Sequence, residues 1–148
     1  MGAWRASSGG SIQIPRPAWL QRVLAGNQFN QLRRTSYPYN EVRINTDDGY
    51  VVLDSYNPAF GEIVSRKFTQ FSEIQEQTGI GYVDELASKY SAGSPIANVP
   101  STGILAGNKL SGNLILEVPP QIRPIPQAVL DRAAESGVTI RDTNGSVY

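Results

Sequence analysis

The fold is decided by residues 41–67, EVRINTDDGYVVLDSYNPAFGEIVSRK. Apolar and polar residues alternate over residues 41–45, a second short run covers residues 50–55, and a third covers residues 62–68. The segments Asp-Asp-Gly and Asn-Pro-Ala-Phe-Gly separate these runs, and such Gly- and Pro-containing segments are typical of turns between strands. This stretch therefore predicts three short β-strands in a meander.

One helix is predicted before the meander and another after it. Pro17 suits the first turn of a helix over residues 18–34, in which apolar residues recur at helical spacing. Pro38 keeps that helix from continuing, because the residue before a proline avoids the helical conformation. The Thr69 side chain is expected to cap the second helix, residues 69–90, which two glycines interrupt.

The C-terminal third predicts two more strands and one more helix. Residues 91–112 form a turn-rich connection, and loops of this length are usually functional or locally structured. The apolar run at residues 113–118 predicts a strand buried on both faces. A helix over residues 127–136 ends at Gly137 in a left-handed cap, and residues 138–142 form the last strand.

A single folded domain is predicted after a loose N-terminal segment. Residues 1–16 are small, polar and Gly/Ser-rich, as in a flexible linker or a cloning remnant. Residues 17–148 carry the element order α-β-β-β-α-β-α-β, which predicts an α/β or α+β fold with a central mixed sheet flanked by helices. No apolar run is long enough to span a membrane, and we expect a monomer.

The absence of two residue types limits the chemistry. The chain contains no Cys, which excludes disulfides, thiolate nucleophiles and Cys-ligated zinc. It also contains no His, so the commonest general base and the commonest transition-metal ligand are both missing. Any catalysis must therefore use carboxylates, Lys, Tyr, Ser or a hard cation held by oxygen ligands.

Charge is segregated along the chain although the net charge is zero. Residues 1–40 contain five Arg and no acid, whereas residues 41–85 contain nine acids and three bases. One interpretation is a polyanion-binding face next to a metal-binding centre. The other is a solvated surface on which opposite charges pair locally, and composition alone leaves both open.

An acid and a lysine on neighbouring strands are the strongest chemical signal. Asp54 lies near the end of the second predicted strand and Lys67 near the end of the third. Side chains alternate along a strand, so Ser65 and Lys67 share one face while Glu62 and Arg66 share the other. Asp54 and Lys67 are thus expected to meet, as the cation ligand and the phosphate-stabilising group of a phosphodiesterase or as an exposed ion pair.

The element order, with Asp on the second strand and Lys on the third, resembles the PD-(D/E)XK restriction-endonuclease-like fold over about residues 20–118. The resemblance implies a divalent-metal-dependent nuclease that uses Mg²⁺ or Mn²⁺, in which Asp54 binds metal and Lys67 acts at the phosphate. The sequence departs from the motif, since the family places an acid two residues before the Lys and this chain has Ser65.

Other oxygen ligands are therefore considered for the missing acid. Glu62 is the nearest acid, but strand alternation puts it on the opposite face unless a bulge intervenes. Glu41 on the first strand is a further metal-ligand candidate, and Gln70 or Gln75 before the second helix are weaker ones. The predicted catalytic residues are Asp54, Lys67 and Glu62, and the predicted metal ligands are Asp54, Glu62 and Glu41.

Substrate binding is expected from basic and amide side chains. Arg33 and Arg34, near Tyr37 and Tyr39, suit phosphate clamping and base stacking. The alternative is an Arg-rich helix end with the Tyr rings packed on the core. The predicted substrate-binding residues are Arg33, Arg34, Arg66 and Gln70.

A second resemblance concerns biological context. The segments AGNQFNQLRR, YPYNEVRI, GYVVLDSYNP, GEIVSRKFTQ and SKYSAG are similar to C-terminal toxin modules of bacterial polymorphic and contact-dependent inhibition systems. This resemblance implies secretion or delivery as the C-terminal part of a larger protein, action in the cytoplasm of a competitor cell, and a cognate immunity protein that blocks the site.

Three functions follow from these observations. The first is a toxin nuclease that cleaves DNA or RNA with a divalent metal. The second is an effector enzyme that acts on NAD or another nucleotide and replaces the metal with a Glu and an Arg. The third is a binding module without catalysis that kept the fold. Dependence on divalent metal separates the first from the second, and toxicity separates both from the third.

Overall fold

The computed structural model describes residues 16–148, so the predicted linker, residues 1–16, lies outside the described residues apart from Arg16. The main elements follow the predicted order, with every boundary within a few residues of expectation except at the second helix. They are α1 (Ala18–Arg34), β1 (Tyr39–Thr46), β2 (Gly49–Asn57), β3 (Glu62–Arg66), α2 (Glu76–Lys89), β4 (Asn113–Val118), α3 (Gln127–Ser136) and β5 (Val138–Asp142).

The five strands form one mixed sheet whose spatial order equals their order in the chain. β1, β2 and β3 pair antiparallel through short turns, as the predicted meander requires. β4 lies parallel to β3, and β5 lies parallel to β4. Parallel neighbours need a crossover, and α2 and α3 provide the two crossovers. The protein is therefore an α+β protein with a central mixed sheet flanked by helices, as predicted.

The two faces of the sheet differ in what covers them. α2 and α3 pack on one face, where the main hydrophobic core includes Leu116, Val118 and Ile140. α1 lies on the other face, which carries Glu117 and makes polar contacts with the helix. α1 itself contains no buried residue. The alternation of Leu116 and Glu117 on β4 thus separates an apolar face from a polar one.

The second predicted helix is wrong at its start. Residues Phe71–Glu73 form a separate 3₁₀ turn, α2 begins only at Glu76, and Thr69 does not cap it. The cause is a tertiary contact, because the Gln121 side chain donates to the Thr69 carbonyl and to Pro119 while accepting from the Phe71 amide. The expected interruption is also absent, since α2 runs continuously through both glycines.

The connection between α2 and β4 is locally structured, as one of the two predicted readings required. It contains a 3₁₀ helix at Pro100–Leu105 and a bridge from Ile96 to Ile44 on β1. Ile96, Leu105 and Leu110 are buried in the main core. This segment therefore covers the core beside β1 instead of forming an open loop.

The elements at the C-terminus agree with prediction. β4 is buried over its last four residues, Ile115–Val118. Gly137 ends α3 with φ of 69°, and its amide is hydrogen-bonded to carbonyls of the last turn, as in a left-handed cap. β3 ends at Arg66, two residues earlier than predicted. No described helix has both the length and the apolar character needed to cross a membrane.

Candidate functional site

Asp54 lies where β2 and β3 stop pairing. The backbone ladder between these strands covers Ser55–Asn57 and Glu62–Val64 only. Beyond it, Asp54 Oδ2 accepts a hydrogen bond of 2.8 Å from the backbone N–H of Arg66. The carboxylate therefore replaces a backbone partner of β3, one residue before Lys67. β2 continues to Asn57, two residues beyond the predicted strand end, so Asp54 lies three residues before the end of its strand.

The surroundings of Asp54 have opposing effects on its pKa. Burial raises its pKa, the Arg66 N–H and the charges of Arg66 and Lys67 lower it, and the charge of Glu41 raises it, so that the net shift is upward. The nearby Tyr90 phenol donates to the Val52 carbonyl at 2.6 Å. Burial and the negative charges of Asp54 and Glu85 raise the pKa of Tyr90 to about 12.

Lys67 is held by α2, and its charge reaches Asp54. Its Nζ atom lies 3.0 Å from Glu85 Oε1 and 5.0 Å from the centre of the Tyr82 ring. The Lys67 side chain is one-third exposed, so the ammonium remains accessible to a ligand. Sequence reasoning missed Glu85 and Tyr82, although their spacing of three residues on one helix face was a usable signal.

Glu85 is ion-paired with two lysines, Lys67 and Lys89. Its other oxygen, Oε2, lies 2.9 Å from Lys89 Nζ, one helical turn further along α2. Hydrogen bonds from Lys89 and Lys67 lower the pKa of Glu85 against the opposing effect of burial, so this carboxylate is ionised. The Lys67 ammonium thus has a permanent counter-charge in the absence of substrate.

The two other predicted metal ligands do not join Asp54. Glu62 is ion-paired with Arg141 at 2.5 Å on the α1 face, so the alternation of β3 excludes it from the site and no bulge reverses this. Glu41 is ion-paired with Arg34 at 2.5 Å and has φ of 52°. Its charge reaches Asp54, but its carboxylate is engaged elsewhere.

The predicted substrate-binding side chains also have internal partners. Arg33 and Arg66 bind Glu117, and Arg34 binds Glu41. Gln70 donates to the Pro120 carbonyl and accepts from the Ile122 amide, which fixes the turn after β4. The Arg residues of α1 and β3 are therefore largely part of the protein's own charge pairing.

A buried polar network centred on Glu117 was not predicted. Glu117 on β4 is fully buried and receives hydrogen bonds from Arg66 Nε (2.9 Å), Arg33 (2.9 Å) and the Tyr37 hydroxyl (2.6 Å). Arg66 extends the network to Asn30 at 2.7 Å and to Ser55. Arg141 donates to the Tyr37 hydroxyl at 2.9 Å. The available signal was an acid within the apolar run NLILEV, because a buried Glu is rare unless it is paired.

A groove of about 900 Å³ runs between α1 and the segments that follow β3 and β4. Its walls come from the N-terminal half of α1, from residues 68–74 and from Ile122. The side chains on this surface are mainly apolar, with few charged groups. The groove lies beyond the C-terminal ends of β3 and β4, and Phe68 in its wall directly follows Lys67 in the chain.

Comparisons of this chain with protein-family models, with curated proteins and with solved structures found no match. Among residues 16–148, no three acidic side chains converge in a way that could hold a metal ion. The features of the molecule that bear on function are the Asp54 carboxylate beside Arg66, the Lys67 ammonium and the groove.

Proposed function

We propose that this domain is a toxin nuclease that cleaves nucleic-acid phosphodiesters with the help of a divalent cation. The observation that carries the proposal is that Asp54 binds the backbone N–H of Arg66, the residue before Lys67, at the point where β2 and β3 diverge. One group is a carboxylate, whose oxygen suits a hard cation, and the other is a partly exposed ammonium. A phosphodiester between them would meet both groups needed for its hydrolysis.

The donor set fits a weakly held magnesium or manganese ion. Asp54 Oδ2 accepts from Arg66, and no donor among the described residues is hydrogen-bonded to Oδ1. Mg²⁺ commonly binds one or two carboxylates and completes its coordination with water and substrate phosphate. A bound cation would polarise the phosphoryl oxygen and lower the pKa of an attacking water. Asp54 would hold it, and Glu41 becomes a second ligand only if it leaves Arg34.

Lys67 acts on the phosphate in this proposal. Its ammonium stabilises the negative charge that develops on the phosphoryl oxygens during hydrolysis. Glu85 and the Tyr82 ring keep the Lys67 side chain at the β3 end before substrate binds. A phosphate would compete with Glu85 for the same ammonium, which couples substrate binding to release of this ion pair.

The arrangement of elements supports a restriction-endonuclease-like core. Three antiparallel strands are followed by a helix and then by a strand parallel to the third. The PD-(D/E)XK resemblance rests on the same order, with the acid on the second strand and the lysine on the third. Ser65 is buried on β3 and offers a hydroxyl where that family has a carboxylate.

The toxin context is part of the same proposal. We propose that the domain is delivered as the C-terminal part of a larger protein, acts in the cytoplasm of a competing bacterium, and is neutralised by a cognate immunity protein. The similarity of five segments to delivered toxin modules supports it.

Induced expression in bacteria tests the proposal directly. Growth should stop, and gels of total DNA and total RNA should show which nucleic acid is degraded. Purified protein should then cleave that nucleic acid with Mg²⁺ or Mn²⁺ and lose activity in a chelator.

The Lys67→Ala variant provides the control, since it should be expressed and folded without stopping growth. Full activity in the chelator would contradict the metal mechanism and favour the enzyme that acts on NAD or another nucleotide. Normal growth with intact nucleic acids at high levels of soluble protein would contradict the toxin and favour the non-catalytic module.

A further inference from the structure

The groove beside α1 lies at the carboxyl ends of two parallel strands. Phe68 and Gln70 follow β3, and Ile122 follows β4, so the far wall consists of the segments that leave the sheet at that edge. In open sheets of this kind, ligands bind in crevices outside the carboxyl ends of the strands. The groove is also next to the proposed site along the chain, because Phe68 directly follows Lys67.

An aromatic ring is presented in this groove. Phe68 is half exposed, and its ring centre lies 5.2 Å from that of Phe29, tilted by 46°. Phe29 on α1 therefore supports the Phe68 ring from one side. Gly26 in α1 faces Phe68, since a Cβ atom there would lie in van der Waals contact, 3.9 Å from the Phe68 Cβ. Ile122, also exposed, contributes a second apolar surface to the same groove.

The charges of the groove indicate that attraction of phosphate groups is not the main force for ligand binding there. Arg22 and Glu73 both line it, and neither forms an ion pair within the part of the chain that the structure describes. One positive and one negative group leave the lining without net charge, so the phosphates of a nucleic-acid backbone gain little electrostatic attraction there. A flat, uncharged ring with hydrogen-bonding edges suits the groove better, because Phe68 offers stacking while Asn27 and Glu73 offer hydrogen-bond partners.

We propose that this groove binds an unpaired nucleobase of the nucleic-acid strand, stacked on Phe68. The inference rests on the proposed function, because the adjacent Asp54–Lys67 site would then act on the same strand. Stacking of a base on an aromatic side chain is worth about 1–3 kcal/mol, or about fivefold to a hundredfold in affinity. The groove therefore selects single-stranded or unstacked segments over a regular duplex.

Binding of two labelled probes tests the inference. One is a fluorescein-labelled thymidine decanucleotide, and the other is an abasic strand with the same number of phosphates. Measured by fluorescence anisotropy in the full-length Lys67→Ala chain, the base-containing probe should bind at least about fivefold more tightly. Phe68→Ala should remove this difference, and Phe68→Trp should retain it.

Two further variants keep the test informative. Gly26→Leu should also reduce the difference, because its side chain fills the groove while favouring the helix. Phe60→Ala serves as the matched control, since Phe60 is 80% exposed in the β2–β3 turn and does not line the groove. Equal affinity for both probes, or an equal loss in Phe60→Ala, would overturn the inference.

The result separates this inference from the proposed function. Metal-dependent cleavage by the unmodified chain, together with binding that does not depend on bases, would reject the groove and leave the nuclease in place. Base-dependent binding without any cleavage would reject the nuclease and leave a nucleobase-binding surface. Tight capture of a protein by Phe68 and Ile122, with no oligonucleotide binding, would assign the groove to a protein partner and overturn the inference.

Discussion

Arg66 on β3 and Glu117 on β4 are hydrogen-bonded at 2.9 Å across neighbouring parallel strands, and both side chains are buried. The Glu117 carboxylate is also ion-paired with Arg33 of α1, so one acid connects the helix to the sheet. Because α1 contributes no buried residue of its own, these polar contacts are a main attachment of the helix to this face.

Replacing Glu117 should destabilise the fold severely. Glu117→Ala leaves the buried Arg66 guanidinium without its carboxylate, and loss of one partner of a buried pair costs about 3–5 kcal/mol. Urea unfolding followed by circular dichroism measures the loss. Glu135→Gln is the control, because Glu135 is exposed and lies 3.7 Å from Arg132, so a change within about 0.5 kcal/mol is expected. A similar small change in both variants would contradict the structural role of Glu117.

The Glu117 network should also make stability depend on pH in the acid range. Burial raises the pKa of Glu117, but hydrogen bonds from Arg33, Tyr37 and Arg66 outweigh it, so the folded-state pKa is below the ordinary value of 4.5. A carboxyl with a lowered folded pKa stabilises the fold above the unfolded pKa and loses that contribution as pH falls through the folded pKa. Unfolding midpoints measured from pH 6 downward should fall below about pH 4.5 in the unmodified chain. The slope should be smaller in Glu117→Gln.

Asp54→Asn should separate stability from activity. The pKa of Asp54 is raised mainly by burial, so ionising this carboxyl costs more free energy in the folded protein than in the unfolded chain. The amide removes that penalty and can still accept the Arg66 N–H, so the free energy of unfolding should not fall and should rise at pH 7. The gain should shrink as pH falls through the folded-state pKa and disappear well below 3.8, where the carboxyl is protonated in both states. Nuclease activity should fall by about a hundredfold or more, and unchanged activity would exclude Asp54 from the site.

The two lysines that share Glu85 form a matched pair. Lys67 and Lys89 lie 3.0 and 2.9 Å from its two oxygens, and both ammonium groups are partly exposed. Each Ala variant should change the free energy of unfolding by less than about 1 kcal/mol, since exposed ion pairs contribute little. Only Lys67→Ala should reduce cleavage, by about a hundredfold, because only Lys67 adjoins Asp54. Equal losses of activity would assign the effect to Glu85 instead.

The two glycines of α2 should respond in opposite ways to alanine. A Cβ atom at Gly79 would lie 3.0 Å from Phe71 and from Val129, so Gly79→Ala overpacks the core and should cost about 1–3 kcal/mol. A Cβ atom at Gly81 meets nothing within 4 Å, so Gly81→Ala should stabilise the helix by about 0.8–1 kcal/mol. Thermal unfolding of both variants checks the packing of α2 against α3. Stabilisation by both would contradict it.

The second helix illustrates how far local sequence signals reach. Thr69 has the residue type of a helix cap, but Gln121, more than fifty residues along the chain, holds the Thr69 carbonyl and the Phe71 amide. Gly79 weakens a helix in isolation, yet here it is buried where α2 packs on α3 and only a small residue fits. Both errors arise because tertiary contacts outweigh intrinsic preference.

The sequence by itself determined the order of helices and strands, the meander and the cap at Gly137, because turn residues and alternation act over a few positions. Only the tertiary structure decided which charges meet. Glu85 on α2 is ion-paired with Lys67. Glu117 accepts hydrogen bonds from Arg33, Tyr37 and Arg66, which lie 84, 80 and 51 residues away along the chain. Such partners depend on how α1 and α2 lie on the two faces of the sheet. A buried carboxylate needs them because burial removes the water that would otherwise solvate its charge.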